Sequence, residues 1–222
     1  MVSSSRIKVP AYFSIGRARE VQRRLAKSLI FEDVIKGEPR SIAGVDVGYK
    51  GDVAVACAVL LDYASLRVVE YSLTTSKVFF PYIPTLLSFR ELAPAYRALK
   101  GLREEPDIIM VDAHGYAHPF RLGLASHLGA VMRKPTIGVA KKLLCGKIGE
   151  WRGYWAPVMD KGEVIGAALR LAEGAKPIYV SVGNMISLEK AIEITIKTSR
   201  RHRLPEPTRL AHLLASKALK RI

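Results

Sequence analysis

Apolar positions come in two patterns along this chain: nearly continuous runs, and stripes spaced three or four residues apart. Runs at Ser41–Tyr49, Asp52–Leu61 and Leu66–Val78 are separated by the short turns YKGD and DYAS. Three strands joined by tight turns predict an antiparallel meander, the third strand alternating at Val69, Tyr71 and Leu73. Later runs at Asp107–Asp112, Pro135–Ala140, Trp151–Pro157, Val164–Leu171 and Ile178–Val180 predict five more strands. The run Ile108–Val111 has no polar break and predicts a strand buried on both faces. Helical spacing marks Ser14–Ile30 through Val21, Leu25 and Leu29, and Arg121–Met132 through Leu122, Ala125, Leu128 and Met132. A third helical stretch, Thr85–Leu102, contains Pro94, which is predicted to split it in two. Ser187 is placed to cap a helix reaching about Arg201, and Pro207 suits the first turn of a last helix, Thr208–Arg221, with Leu210, Leu213, Leu214 and Ala218 inward. In FFPYIP, Pro81 and Pro84 forbid both helix and central strand.

Composition sharpens this picture in two ways. A chain of 222 residues, 49% hydrophobic, can build a substantial core and predicts one domain over residues 1–222. No apolar run reaches the roughly 18 residues of a membrane span, and the start MVSSSRIKVPAYFSIGR lacks an apolar signal core, which predicts a cytoplasmic protein with no membrane partner. Two cysteines are too few for a disulfide framework, and Cys57 reads as core packing. The charge is lopsided: 35 Lys and Arg against 20 acids, a net +15. An ordered, strongly basic protein most often meets a polyanion, and nucleic acid is the first expectation.

The element order, a meander, a helix, then alternating strands and helices, matches the ribonuclease-H-like α/β fold: a central mixed sheet, antiparallel meander then parallel strands, flanked by helices. In that arrangement Asp46, in the first strand, and Asp112, ending the strand after the first helical region, lie side by side. Two close carboxylates repel, and a divalent cation between them relieves both repulsion and desolvation. Mg²⁺ takes one or two carboxylates and completes its octahedron with water and phosphate. Glu91, on the intervening helix, could add a third acid through water. The chemistry of such a set is phosphodiester hydrolysis. Lys141, after a strand, could reach the reacting phosphate. His212, off the apolar stripe of its helix, could orient water or move a proton. Plainer readings stand beside each: Asp112 as a loop cap, Asp46 accepting backbone N–H groups near Gly48, Glu91 and His212 as solvated helix residues.

Taken together, the motifs resemble the endonuclease V family of deaminated-base repair. They are GVDVGY (Gly44–Tyr49), PYIP (Pro81–Pro84) with FREL (Phe89–Leu92), the stretch Asp112–Gly129 with its DxHGxxHP and ASHLG, TIGVAKK (Thr136–Lys142), KPIYVSVG (Lys176–Gly183) with ISLE, and LPEPTRLAH (Leu204–His212). Any one is weak; all in order are specific. The resemblance implies Mg²⁺ dependence, with Mn²⁺ as a substitute, and cleavage of the second phosphodiester bond 3′ to deoxyinosine. It implies Asp46 and Asp112 as metal ligands, Glu91 as an indirect one, and Lys141 and His212 as catalytic. It makes Tyr82 a wedge at the lesion, with Pro81, Ile83, Pro84, Ala113, Gly115, His118 and Lys142 along the nucleic acid. The partner would be double- or single-stranded DNA with deaminated bases, inosine in RNA staying open, and the enzyme a monomer. Three positions depart from the family's pattern: Ala113 stands for glycine, Phe120 for arginine, Asn184 for histidine. The methyl of Ala113 would narrow the pocket for an extruded base, and Phe120 and Asn184 would weaken phosphate contacts.

Alternatives differ in class. Another ribonuclease-H-like nuclease, cutting junctions or hybrids, shares the acids but has no use for a PYIP wedge. A non-catalytic nucleic-acid-binding protein on the same scaffold would tolerate loss of the acids, and all three are present. For Tyr82 alone, covering the core beside Phe79 and Phe80 is the plainer reading.

Overall fold

The computed structural model describes residues 9–171 and 174–222. Residues 1–8, part of the start read above for a signal core, lie outside the described residues. In chain order the elements are α1 (Ile15–Ala26), β1 (Ser41–Lys50), β2 (Val53–Asp62), β3 (Val68–Lys77), α2 (Leu87–Lys100), β4 (Ile108–Val111), α3 (Leu124–Met132), β5 (Thr136–Ala140), β6 (Lys147–Ile148), β7 (Trp155–Asp160), β8 (Glu163–Leu169), β9 (Ile178–Asn184), α4 (Leu188–Lys197) and α5 (Glu206–Leu219). The strands form one mixed sheet in the order β3-β2-β1-β4-β5-β9-β8-β7-β6. The meander is β1–β2–β3; β4 is parallel to β1 and β5 to β4, and the far half from β9 onward is antiparallel. Among the described residues no helix is long and apolar enough to cross a membrane.

Strand alternation sorts the core onto two faces. Ile42, Cys57, Val59, Ile108, Met110 and Val139 pack beneath α4 and α5, with Cys57 in the core as expected. Ala43, Val45, Ala58, Leu60, Ile109 and Val111 pack beneath α2 and α3. The small residues Ala43, Ala56 and Ala58, facing Ala95 and Ala98, let α2 approach the sheet closely.

Several elements differ from the sequence reading for definable reasons. α2 runs unbroken through Pro94, which lies buried with Glu91, Ala95 and Ala98 against the sheet; burial of that whole face outweighs the lost backbone bond. α3 starts three residues later than predicted, because Arg121 adopts a left-handed φ of 57° and Gly123 packs its backbone on His114. The predicted strand Trp151–Pro157 is shifted to β7, β6 was not foreseen, and β9 runs on to Asn184. α4 ends at Lys197 rather than near Arg201, with Ser187 capping it as expected. In α5, Pro205 is the N-cap, so Pro207 falls at the second helical position. Leu213, expected inward, is exposed; the buried line is Thr208, Ala211 and Ala215. α5 lies so close to β1 that only small side chains fit between them, and leucines move to its flanks.

Candidate active site

The closeness of α5 and β1 builds the site. A Cβ placed on Gly44 would sit 1.9 Å from the Pro207 carbonyl oxygen, so glycine is obligatory at this crossing. A strand advances about 3.3 Å per residue and a helix about 1.5 Å. Two residues along β1 from Gly44 therefore match about five along α5 from Pro207. Those steps reach Asp46 and His212, and the His212 Nδ1–H donates to Asp46 Oδ2 at 2.7 Å. With Nδ1 committed to Asp46, Nε2 is the ring nitrogen left for another partner.

Parallel pairing of β1 with β4 sets the second acid. Val45 lies opposite Val111, and the Asp112 N–H donates to the Val45 carbonyl at 3.0 Å. Asp46 and Asp112 thus emerge on adjacent strands toward the same face. One ligand atom each from Asp46, Asp112 and His212 falls within 4.8 Å of the others, a set able to hold a cation. Lys141, just past β5, donates from Nζ to Asp112 Oδ2 at 2.5 Å. Both protein donors go to Oδ2 atoms, so each carboxylate is bonded by a basic side chain through one oxygen only. The Asp112 carboxyl is pushed above the usual range by burial and by the charge of Asp46, against the pull of Lys141 and His212. Buried, mutually repelling oxygens suit a hard divalent cation, so the residues fit the ion expected from the sequence.

Glu91 comes from α2, on the other face of the sheet, and does not join that close set. It is 7% exposed, and Tyr49, which the strand turns to the same side, donates from its hydroxyl to Glu91 Oε1 at 3.0 Å. Burial pushes the Glu91 pKa up to about 8, with Asp46 and Asp112 adding to the rise and the Tyr49 hydrogen bond opposing it. The Arg90 guanidinium lies 4.2 Å over the Tyr49 ring and holds it in place.

The PYIP loop stands out from the body. Tyr82 is 65% exposed and Pro84 is exposed; Pro81 and Ile83 are half-buried. Tyr82 therefore does not cover the core. Phe80 does the anchoring, 4.6 Å edge-on to Phe13, which in turn meets Phe89 at 6.0 Å. Ala113 is buried among β4 and α3 residues. Gly115 lies against β9, where a Cβ would meet the Val182 oxygen at 2.2 Å. His118 is buried, its Nδ1 accepting the Phe120 N–H at 3.1 Å, and burial, with nearby positive charge, lowers its pKa to about 4. Lys142 is exposed beside Lys141.

The departures from the family pattern also find places. Phe120 lies beneath the guanidinium groups of Arg19 at 4.2 Å and Arg23 at 5.6 Å, so its ring packs under the basic face of α1. Asn184 is buried, accepting from the Ile30 N–H and donating to the Gly129 carbonyl; it ties the end of β9 to α3 and to the segment after α1, and offers nothing to a phosphate. Reading for apolar stripes passed over Gln22, Arg19 and Tyr49. Tyr49 was within reach of reasoning, since its parity on β1 differs from that of Asp46.

The sequence profile of the endonuclease V family matches residues 23–213. An endonuclease V from Thermofilum pendens is 51% identical over 210 residues, 94% of this chain and 90% of that protein. Among solved structures, endonuclease V from Streptomyces avermitilis is 40% identical, with a TM-score of 0.87 over 97% of this chain and 98% of its own. The Ciona intestinalis endonuclease V, solved with a 24mer DNA containing an inosine followed by a ribo-adenosine, is 30% identical, with a TM-score of 0.85 over 93% of this chain and 98% of its own.

Proposed function

Since the chain belongs to the endonuclease V family and is an endonuclease, we propose that it is the Mg²⁺-dependent repair enzyme for deaminated bases. Its main lesion is deoxyinosine, it hydrolyses the second phosphodiester bond on the 3′ side, and inosine in RNA is a further substrate in this reading. The observation that carries it is the pair Asp46 and Asp112 on neighbouring strands, each hydrogen-bonded by one basic side chain. A hydrolase for phosphodiesters needs that combination of anion-holding and proton-handling groups.

When bound, Mg²⁺ supplies charge for the phosphoryl oxygens and a lowered pKa for water. Asp46 and Asp112 would hold it, and Glu91, kept in orientation by Tyr49, would act as the indirect ligand, through water. His212 presents Nε2 to accept a proton from the attacking water, with Asp46 steadying the imidazolium that forms. Lys141 keeps an ammonium beside Asp112, where it opposes the negative charge gathering on the phosphate and the leaving 3′-oxygen. Lys142 and the basic surface hold the backbone. In this reading the base that leaves the stack settles near the backbone of Ala113–Gly115, while the Ala113 methyl packs into the core with Val111 and Leu124 rather than into that space.

Tyr82 is the wedge, with Pro81, Ile83 and Pro84 stiffening its loop. Extruding a paired base costs a few kcal/mol, and an aromatic ring filling the vacated step offsets on the order of 1–3 kcal/mol. Tyr82→Ala is expected to weaken inosine-dependent binding and cleavage by that amount. Melting temperature should barely change, because the ring is mostly in solvent. Parallel binding and melting measurements check this. Intact lesion preference with a large fall in melting temperature would remove the wedge.

A further inference from the structure

Helix α1 carries Arg17, Glu20, Arg23 and Arg24 in solvent, yet its central Gln22 is 0% exposed. A buried amide in a basic surface helix is costly unless all its groups are met. Here they are. Gln22 Nε2 donates to the Thr85 carbonyl at 2.9 Å and to the Leu122 carbonyl at 3.2 Å, and Oε1 accepts from Arg19 Nη1 at 3.0 Å. Arg19 also donates to the Thr85 carbonyl at 3.1 Å and the Pro84 carbonyl at 3.3 Å. Its guanidinium rests over Phe120, and buried His118 faces the same Thr85 carbonyl.

The two carbonyls bridged by Gln22 belong to segments far apart in sequence. Thr85 follows PYIP and is held at φ 68°, a left-handed conformation that a non-glycine residue keeps only under constraint. Leu122 precedes Gly123, whose N–H donates to the Gly115 carbonyl at 2.9 Å and whose Cα has no room for a side chain beside the His114 carbonyl. One amide therefore spans from the loop bearing Tyr82 to the segment that starts at Asp112. We infer that Gln22 is a positioning residue for lesion recognition: its side chain sets the gap between the Tyr82 loop and the Asp112 loop, so that the ring inserts in register with the acids.

The inference rests on the reading of Tyr82 as the wedge, and its test separates the two. Gln22→Met keeps the volume and removes both bridging donors. Single-turnover cleavage of inosine is measured in a duplex and in a single strand, where no base needs displacing. Emission of 2-aminopurine beside the lesion, recorded in chelator, reports unstacking without any reaction. Gln22→Met is expected to slow duplex cleavage about tenfold, to leave single-strand cleavage within about twofold, and to lower the emission gain. A role confined to fold stability would slow both substrates alike, and that result, or no loss at all, overturns the inference. Tyr82→Ala runs in parallel. If it too spares the single strand, the wedge stands whatever Gln22→Met does; if it shows no duplex-selective loss, the wedge fails and the inference with it. Should Gln22→Met not fold, Arg19→Met, which removes the second link to Thr85 and Pro84, is judged by the same two outcomes.

Discussion

Asp46→Asn and Asp112→Asn are each expected to lower Mg²⁺-dependent cleavage by on the order of 10³-fold, the scale of several kcal/mol of lost charge stabilisation, while the chain stays folded. Asparagine keeps the shape of the side chain but cannot anchor a hard cation. The apo protein loses little by the exchange. Asp112 is ionised at a disadvantage, because burial and the neighbouring Asp46 both raise its pKa. Removing either charge relieves the other. Lys141, whose side chain is about one-third exposed, can turn its ammonium to water when Asp112 no longer pairs with it. Stability equal to or slightly above that of the parent is thus the expected melting result. Wild-type cleavage rates in both variants would sink the assignment of the acid pair.

Glu91→Gln is expected to stabilise the metal-free protein, increasingly so as pH rises. Folding lifts the Glu91 pKa from 4.5 to about 8, chiefly by burial. Below about pH 4.5 both folded and unfolded chains hold the proton and the residue has no pH-dependent effect. Between those two values the unfolded chain releases its proton and the folded one does not. Stability then falls by roughly 1.4 kcal/mol for each pH unit. Above about pH 8 the loss is complete, on the order of a few kcal/mol. Glutamine keeps an acceptor for the Tyr49 hydroxyl and carries no charge, so the variant escapes this decline. Urea unfolding at pH 5 and pH 8 in chelator measures it: similar midpoints at the lower pH and a clear gap at the higher one. Added Mg²⁺ should narrow the gap, since a cation favours the carboxylate. Equal stability of parent and variant at pH 8 would mean that Glu91 is better solvated than its surroundings imply.

Asp46 and Asp112 were legible in the sequence because each interrupts or ends a strand that is otherwise apolar, as Asp112 does after Ile108–Val111. Their adjacency followed from the element order, and β1–β4 pairing supplies it. His212 was marked only as off-stripe; its approach to Asp46 depends on Gly44 letting α5 touch β1, a contact between residues 163 positions apart that no local pattern encodes. The same contact exposes Leu213, which periodicity alone turned inward. Pro94 shows tertiary burial overriding a local breaker. Gln22 was invisible for the opposite reason: an amide on a basic helix reads as surface until its partners Thr85 and Leu122 are seen.

The most direct test of the central claim is a nicking assay on paired duplexes, one with a single deoxyinosine and one undamaged, each with Mg²⁺ and with chelator. The expected result is one nick, in the inosine strand, at the second phosphodiester bond on its 3′ side, and only with Mg²⁺. Equal cutting of the undamaged duplex, or cleavage that persists in chelator, would contradict it.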